Sequence, residues 1–101
     1  MNWMIPIAVE LEVLEYSKVF HVVGGKMQYT IKFKSAEDIE RFVRECTHYQ
    51  GDVNVYDGSI MVDGKSILGM TSLDITHVLN IELISDYKSE HIHFSELMAT
   101  L

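Results

Sequence analysis

Asp63-Gly64-Lys65-Ser66-Ile67-Leu68-Gly69-Met70-Thr71-Ser72-Leu73 is the stretch on which the fold turns. Asp63-Gly64 reads as a turn, and the short apolar segment behind it begins at Ser66, a hydroxyl residue placed to cap the free N–H groups of a helix. Immediately upstream, Val53 and Val55 alternate with Asn54 and Tyr56, Asp57-Gly58 is a strong hairpin signal, and Ser59 to Val62 supplies the returning strand. Downstream, Asp74-Ile75-Thr76 leads into Val78, Leu79, Ile81, Leu83 and Ile84, a run apolar enough for a central strand with Asn80 and Glu82 facing out.

Further out the periods stay clean. From Met27, Tyr29, Ile31 and Phe33 fall on one face and Thr30, Lys32 and Lys34 on the other, which is a strand. Ser35-Ala36-Glu37-Asp38 reads as a helix start, with Ser35 as the N-cap and two carboxylates where the helix dipole favours negative charge. Ala36, Ile39, Phe42, Val43 and Cys46 follow at helical spacing, and the helix should end near His48, before Gln50-Gly51. At the other end, Phe94, Leu97, Met98 and Leu101 keep helical spacing and predict a closing amphipathic helix capped near Ser89. The order from Met27 is strand, helix, strand, strand, helix, strand, helix. A hairpin makes the sheet at least partly antiparallel, and helices with one apolar stripe each must cover one of its faces, so the class is α+β.

The stretch from Lys65 to Leu73 resembles, nearly letter for letter, the second-helix motif of the HPr family, the small phosphocarriers of the bacterial sugar phosphotransferase system. That resemblance implies an open-faced sandwich, a four-stranded antiparallel sheet covered on one face by three helices, over residues 27–101. It also implies a strand order, with the first and last strands side by side and the hairpin strands beyond the last. Ferredoxin-like domains share much of the element order without the Lys-Ser-Ile-x-Gly-x-x-Ser-Leu string. A small-molecule-binding or oligomerising domain of that type is therefore the alternative of another class.

In the family, a histidine just ahead of the first helix accepts the phosphoryl group, followed closely by an arginine and a proline. Aligned through Phe42-Val43, those positions hold Ser35, Glu37 and Asp38. Unpaired N–H groups and an arginine fork would favour a phosphate there, whereas Glu37 and Asp38 repel one by ~1 kcal/mol or more apiece. The resemblance therefore implies a member without phosphohistidine relay, acting as a binding or regulatory module; a working carrier using another histidine is the alternative within the family. Ser66 aligns with the serine that a regulatory kinase modifies in some HPr proteins, and its other reading is simple helix capping. Ile67 and Leu68 match an exposed apolar docking patch, while Thr71 stands where such proteins usually carry methionine. Phosphotransferase-system components or a regulatory kinase are the implied protein partners.

Other candidates read as structural. His91-Ile92-His93 splits its imidazoles across two faces of a helix, and with no acid or cysteine ligands nearby they read as solvated, not as a metal site. His21, His48 and His77 stand isolated; Cys46 falls on an apolar stripe, and Asp57, Asp63 and Asp74 sit in expected turns. No phosphate loop, nucleophile elbow or paired-carboxylate motif is present, so neither an enzyme nor a cofactor is indicated.

Composition narrows the setting. The 101 residues suit one small domain, and 48% hydrophobic content fills one modest core. A formal charge of -7 disfavours nucleic acid and anionic lipid. One cysteine calls for no oxidising compartment, so the cytoplasm is expected. Residues 1–26 form an extra N-terminal segment, in which Glu10, Glu12 and Glu15 interrupt any signal or spanning helix. Within it, Ile7 to Val13 alternates like a strand, and Val19-Phe20-His21-Val22-Val23 is a second apolar run ending in the loop Gly24-Gly25-Lys26. Gly-Gly-Lys-Met is also what a purine-rich ribosome site ahead of an ATG would encode, which makes Met27 an alternative start. If the segment does form strands, they need a sheet edge on the same or a neighbouring subunit, so a homodimer is a further expectation.

Overall fold

A computed structural model describes residues 25–101, and the strand expected over Ile7 to Val13 and the run from Val19 to Val23 lie outside them. The first strand, β1 (Lys26–Ile31), begins one residue ahead of the Met27 pattern and ends before Phe33. Helix α1 (Ala36–Cys46) buries Ile39, Phe42, Val43 and Cys46, the stripe its spacing predicts, although Ala36 at its start stays exposed. Thr47 closes it, with the next two amides turning back to Glu45 and Cys46.

The hairpin pairs β2 (Asp52–Asp57) with β3 (Ile60–Asp63), and Gly58 takes a φ of +61° that few other residues adopt cheaply. Helix α2 (Ile67–Thr71) is shorter than the Lys65 to Leu73 motif that announces it. Strand β4 (Leu79–Ile84) and helix α3 (Lys88–Ala99) complete the chain. The N-cap of α3 is Tyr87, not Ser89, which lies inside the first turn. Tyr87 contributes no side-chain cap; Ser85 Oγ accepts from the Tyr87 N–H at 3.0 Å instead.

The four strands form one antiparallel sheet in the order β1-β4-β2-β3. This is the α+β open-faced sandwich, with first and last strands adjacent and the hairpin beyond the last; the ferredoxin-like alternative is set aside. Leu79, Ile81 and Leu83 of β4 and Val53 and Val55 of β2 point to the helices and are buried. They meet Phe42, Met70 and Phe94 in one core, where Phe42 and Phe94 pack edge to face at 6.2 Å.

The opposite, open face carries a polar row. Glu82 sits between Gln28 on β1 and Asn54 on β2 in the ladder. Its carboxylate accepts from Asn54 at 3.1 Å, Tyr56 at 3.3 Å and Gln28 at 3.4 Å, with Lys26 Nζ at 3.6 Å. Glu82 does face away from the helices as its period predicts, but those neighbours cover it to 7% exposure. The Asn54 hydrogen bond above all, against the opposing effect of burial, holds its carboxyl below the usual range.

Candidate functional site

The two helix starts are the places where family chemistry is expected. At α1, Ser35 Oγ accepts from the Asp38 N–H at 3.2 Å, and Glu37 and Asp38 fill the first turn. The donors that an anion would use thus meet a hydroxyl acceptor and two carboxylates. Ser35 is an N-cap here.

At α2 the chain is drawn tight before the helix begins. Asp63 Oδ1 accepts from the Lys65 N–H at 2.9 Å, and the Gly64 N–H donates to Val53 O at 2.8 Å. A Cβ on Gly64 would lie 2.5 Å from Val53 Cγ1, so glycine is required by space. Lys65 turns inward and donates to Tyr49 O at 2.8 Å. Ser66 Oγ then accepts from the Gly69 N–H at 3.0 Å, and no acidic residue follows in the first turn. Gly69 lets the helix settle on β3, since a Cβ there would meet Val62 at 3.3 Å.

This short helix buries Met70 alone and presents Ile67 at 42% and Leu68 at 81% exposure. Thr71 bonds back to Ile67 O at 2.8 Å and Ser72 to Gly69 O at 2.6 Å, so both hydroxyls are occupied within the helix. The result is a small apolar knob with its polar groups internally satisfied, suited to contact and not to catalysis.

The described histidines are all elsewhere. His77, expected to be isolated, instead bridges two carboxylates: Nδ1 lies 2.9 Å from Asp57 Oδ2 and Nε2 3.4 Å from Asp74 Oδ2. The Asp57 hydrogen bond and charge, with Asp74 behind them, raise its pKa above the ordinary value. His93 lies between Tyr49 OH at 2.6 Å and Glu45 at 3.4 Å. His91, read from sequence as solvated, is 6% exposed and bonds through Nε2 to Ser85 O at 2.8 Å. His48 is exposed just beyond α1. The two carboxylates at His77 and the one at His93 would each resist a second anion on the ring.

Cys46 is fully buried, and burial pushes its thiol up to about 12, so it packs as a hydrophobe. Among the described residues no group of three or more His, Cys, Asp or Glu is placed to hold a metal ion. No helix among them is long and apolar enough to cross a membrane.

Sequence reasoning missed one tie altogether. Glu90 in α3 accepts from the N–H groups of Gln50 at 2.7 Å and Gly51 at 3.1 Å and from Ser85 Oγ at 2.6 Å. Burial works against its charge, but those hydrogen bonds and Lys65 outweigh it and keep the carboxyl below its usual range. Gly51 permits the approach, because a Cβ there would sit 2.4 Å from Ile84 O.

No family model and no curated protein matches the sequence. Among solved structures, the chain is similar to the crystal structure of a phosphocarrier protein HPr from Bacillus anthracis str. Ames, with a TM-score of 0.57 and 18% identity. The likeness covers 73% of this chain and 94% of that one. At that identity it is a likeness of fold.

Proposed function

We propose that this chain is a divergent HPr-like protein that works as a docking or regulatory module of a bacterial, cytoplasmic phosphotransferase system and does not relay phosphate through histidine. What supports the reading is the contrast at the helix starts: α1 opens with Ser35, Glu37 and Asp38, which the sequence resemblance aligns with the family's phosphate chemistry, while Ile67 and Leu68 stand out on α2. A phosphoryl group brought to α1 would face two carboxylates in the first turn. An apolar pair on a short, internally satisfied helix offers contact area with little polar desolvation.

Ser66 is the point at which such a module would be regulated. Its hydroxyl caps α2 next to Ile67, so adding a phosphate there sets two negative charges beside the docking pair and replaces the cap by a charged one. A regulatory kinase and phosphotransferase-system proteins are the partners this reading assigns.

The test is direct. Incubated with phosphoenolpyruvate and the first enzyme of the phosphotransferase system, the protein should gain no acid-labile phosphate by intact-mass measurement. A stable phosphohistidine in that assay overturns the reading in favour of a working carrier.

A further inference from the structure

The peptide unit joining Tyr49 to Gln50 is gripped from both sides. Its carbonyl accepts from Lys65 Nζ at 2.8 Å, and its N–H donates to Glu90 Oε2 at 2.7 Å. Glu90 also takes the next amide, that of Gly51, at 3.1 Å, and the charge of Lys65 helps to keep the Glu90 carboxyl ionised. The Tyr49 ring is buried, with its hydroxyl 2.6 Å from His93 Nδ1 on α3. A lysine at the entrance of α2 and a glutamate of α3 thus clamp the loop behind α1, and the lysine is the half of the clamp that adjoins Ser66.

We propose that Lys65 is the counter-ion of a phosphate on Ser66, and that its turn to the phosphate releases the Tyr49–Gln50 peptide. This role rests on Ser66 being the regulated residue. The modification is a phosphoryl transfer from a nucleoside triphosphate: Ser66 Oγ bonds to the terminal phosphorus, the bond to the bridging oxygen breaks, the nucleoside diphosphate leaves, and the hydroxyl proton passes to the kinase. At present the ammonium meets a neutral carbonyl, whereas a phosphate is close to a dianion, and charge-assisted hydrogen bonds are roughly twice as strong as neutral ones. Reach is no obstacle, since neighbouring Cα atoms lie about 3.8 Å apart and the half-buried Lys65 carries its rotatable donors on a flexible stem.

Charge along the chain sharpens the demand. Lys65 is the one cationic residue between Asp57 and Leu73, and Asp63, whose Oδ1 accepts the Lys65 N–H at 2.9 Å, adds repulsion to any phosphate beside it. Helix α2 has only five residues, so its own dipole offers a dianion little and the lysine decides. The move leaves Tyr49 O without this donor and takes a cation away from Glu90. The Gln50 and Gly51 amides then rest on a less supported carboxylate, and their loop opens more often. A signal written on the docking helix is read at the C-terminal end of α1.

The full chain with phosphoserine genetically encoded at position 66 tests this, beside the unmodified chain and Lys65→Met in both forms. On phosphorylation, amide exchange at Gln50 and Gly51 should quicken about tenfold while Ile81 and Leu83 in β4 keep their rates. Lys65→Met should show the same quickening without phosphate, and phosphate should then add nothing. A 31P titration reads the other end of the contact: the second ionisation of phosphoserine, near pH ~6 when free, should move up by about 0.5 unit on Lys65→Met. Unchanged exchange at Gln50 and Gly51 on phosphorylation overturns the proposal, and so does a 31P midpoint that Lys65→Met leaves in place. Should Lys65→Met fail to fold, Lys65→Gln, which keeps an amide donor without the charge, replaces it: phosphate should then leave Gln50 and Gly51 slow, and a quickening that persists sinks the role. Encoding the phosphoserine keeps this result apart from the kinase; a kinase that never modifies Ser66 overturns the regulatory reading alone.

Discussion

Helix α1 opens with Ser35 and helix α2 with Ser66, each hydroxyl accepting from the N–H three residues on, at 3.2 and 3.0 Å. Beyond that shared start they diverge. Helix α1 sinks four side chains into the core and carries two acids in its first turn; α2 sinks one and carries none. A capping serine therefore says that a helix begins and nothing about its use. The use is set by the residues that follow: a stripe long enough to bury in α1, and in α2 five residues held down by Met70 and the close seat of Gly69, with their apolar surplus left outside.

The widest gap between the two helices should appear on truncating their apolar residues. Phe42→Ala removes a fully buried ring and should cost about 3–5 kcal/mol in denaturant unfolding. Leu68→Ala, at the tip of α2, should cost under about 0.5 kcal/mol while weakening partner capture. Comparable losses of stability would mean that α2 is a core helix after all.

The segments following the two helices sharpen the contrast. Glu90 ties the loop behind α1, and Glu90→Gln should cost about 1–3 kcal/mol at neutral pH. Its carboxyl is held below the ordinary 4.5 in the folded protein. This contribution is therefore complete above that value and disappears as pH falls through the lower, folded pKa, whereas the glutamine variant should lack this acid dependence.

Next come the caps themselves. Ser66→Ala and Ser35→Ala should each cost about 1 kcal/mol, with the Ser35 loss the smaller because Glu37 and Asp38 still face the dipole of α1. Thermal unfolding of the two variants side by side checks the order.

The smallest effect belongs to His77, in the segment behind α2. Its folded pKa is raised above the ordinary 6.5, so whatever it adds is complete below that value and fades as pH rises through the folded one. The melting-temperature difference between the protein and His77→Asn should vanish at alkaline pH. A difference that persists there would mean the ring acts through packing.

Much of this fold is legible in the chain because local periods and tertiary burial agree. Tyr29 and Ile31, the Ile39 to Cys46 stripe, Asp57-Gly58, and Phe94 to Met98 all fall where their spacing puts them. Strand order is a different matter: periodicity is silent on which strands adjoin, and only the family resemblance of Lys65 to Leu73 supplied it. The misreadings share that cause. Ser89 has the better capping chemistry, but α3 starts at Lys88 because Ser85 and Glu90 organise the turn ahead of it. His91 and His77 find partners in other elements, at Ser85 and Asp57, which no spacing along the chain reveals. Glu82 could have been recognised once the strand order was known, since Gln28 and Asn54 then flank it.

That flanking has a consequence for how the sheet assembles. Sliding β4 by two residues would keep its apolar side inward, so burial alone discriminates weakly against the shift. It would also bring Asn80 or Ile84 opposite Gln28 and Asn54 and strand a carboxylate among groups that cannot answer it. Glu82 thus serves the sheet as a key serves a lock, admitting one alignment of three strands. Its worth lies in fidelity of assembly more than in tightness of the finished structure.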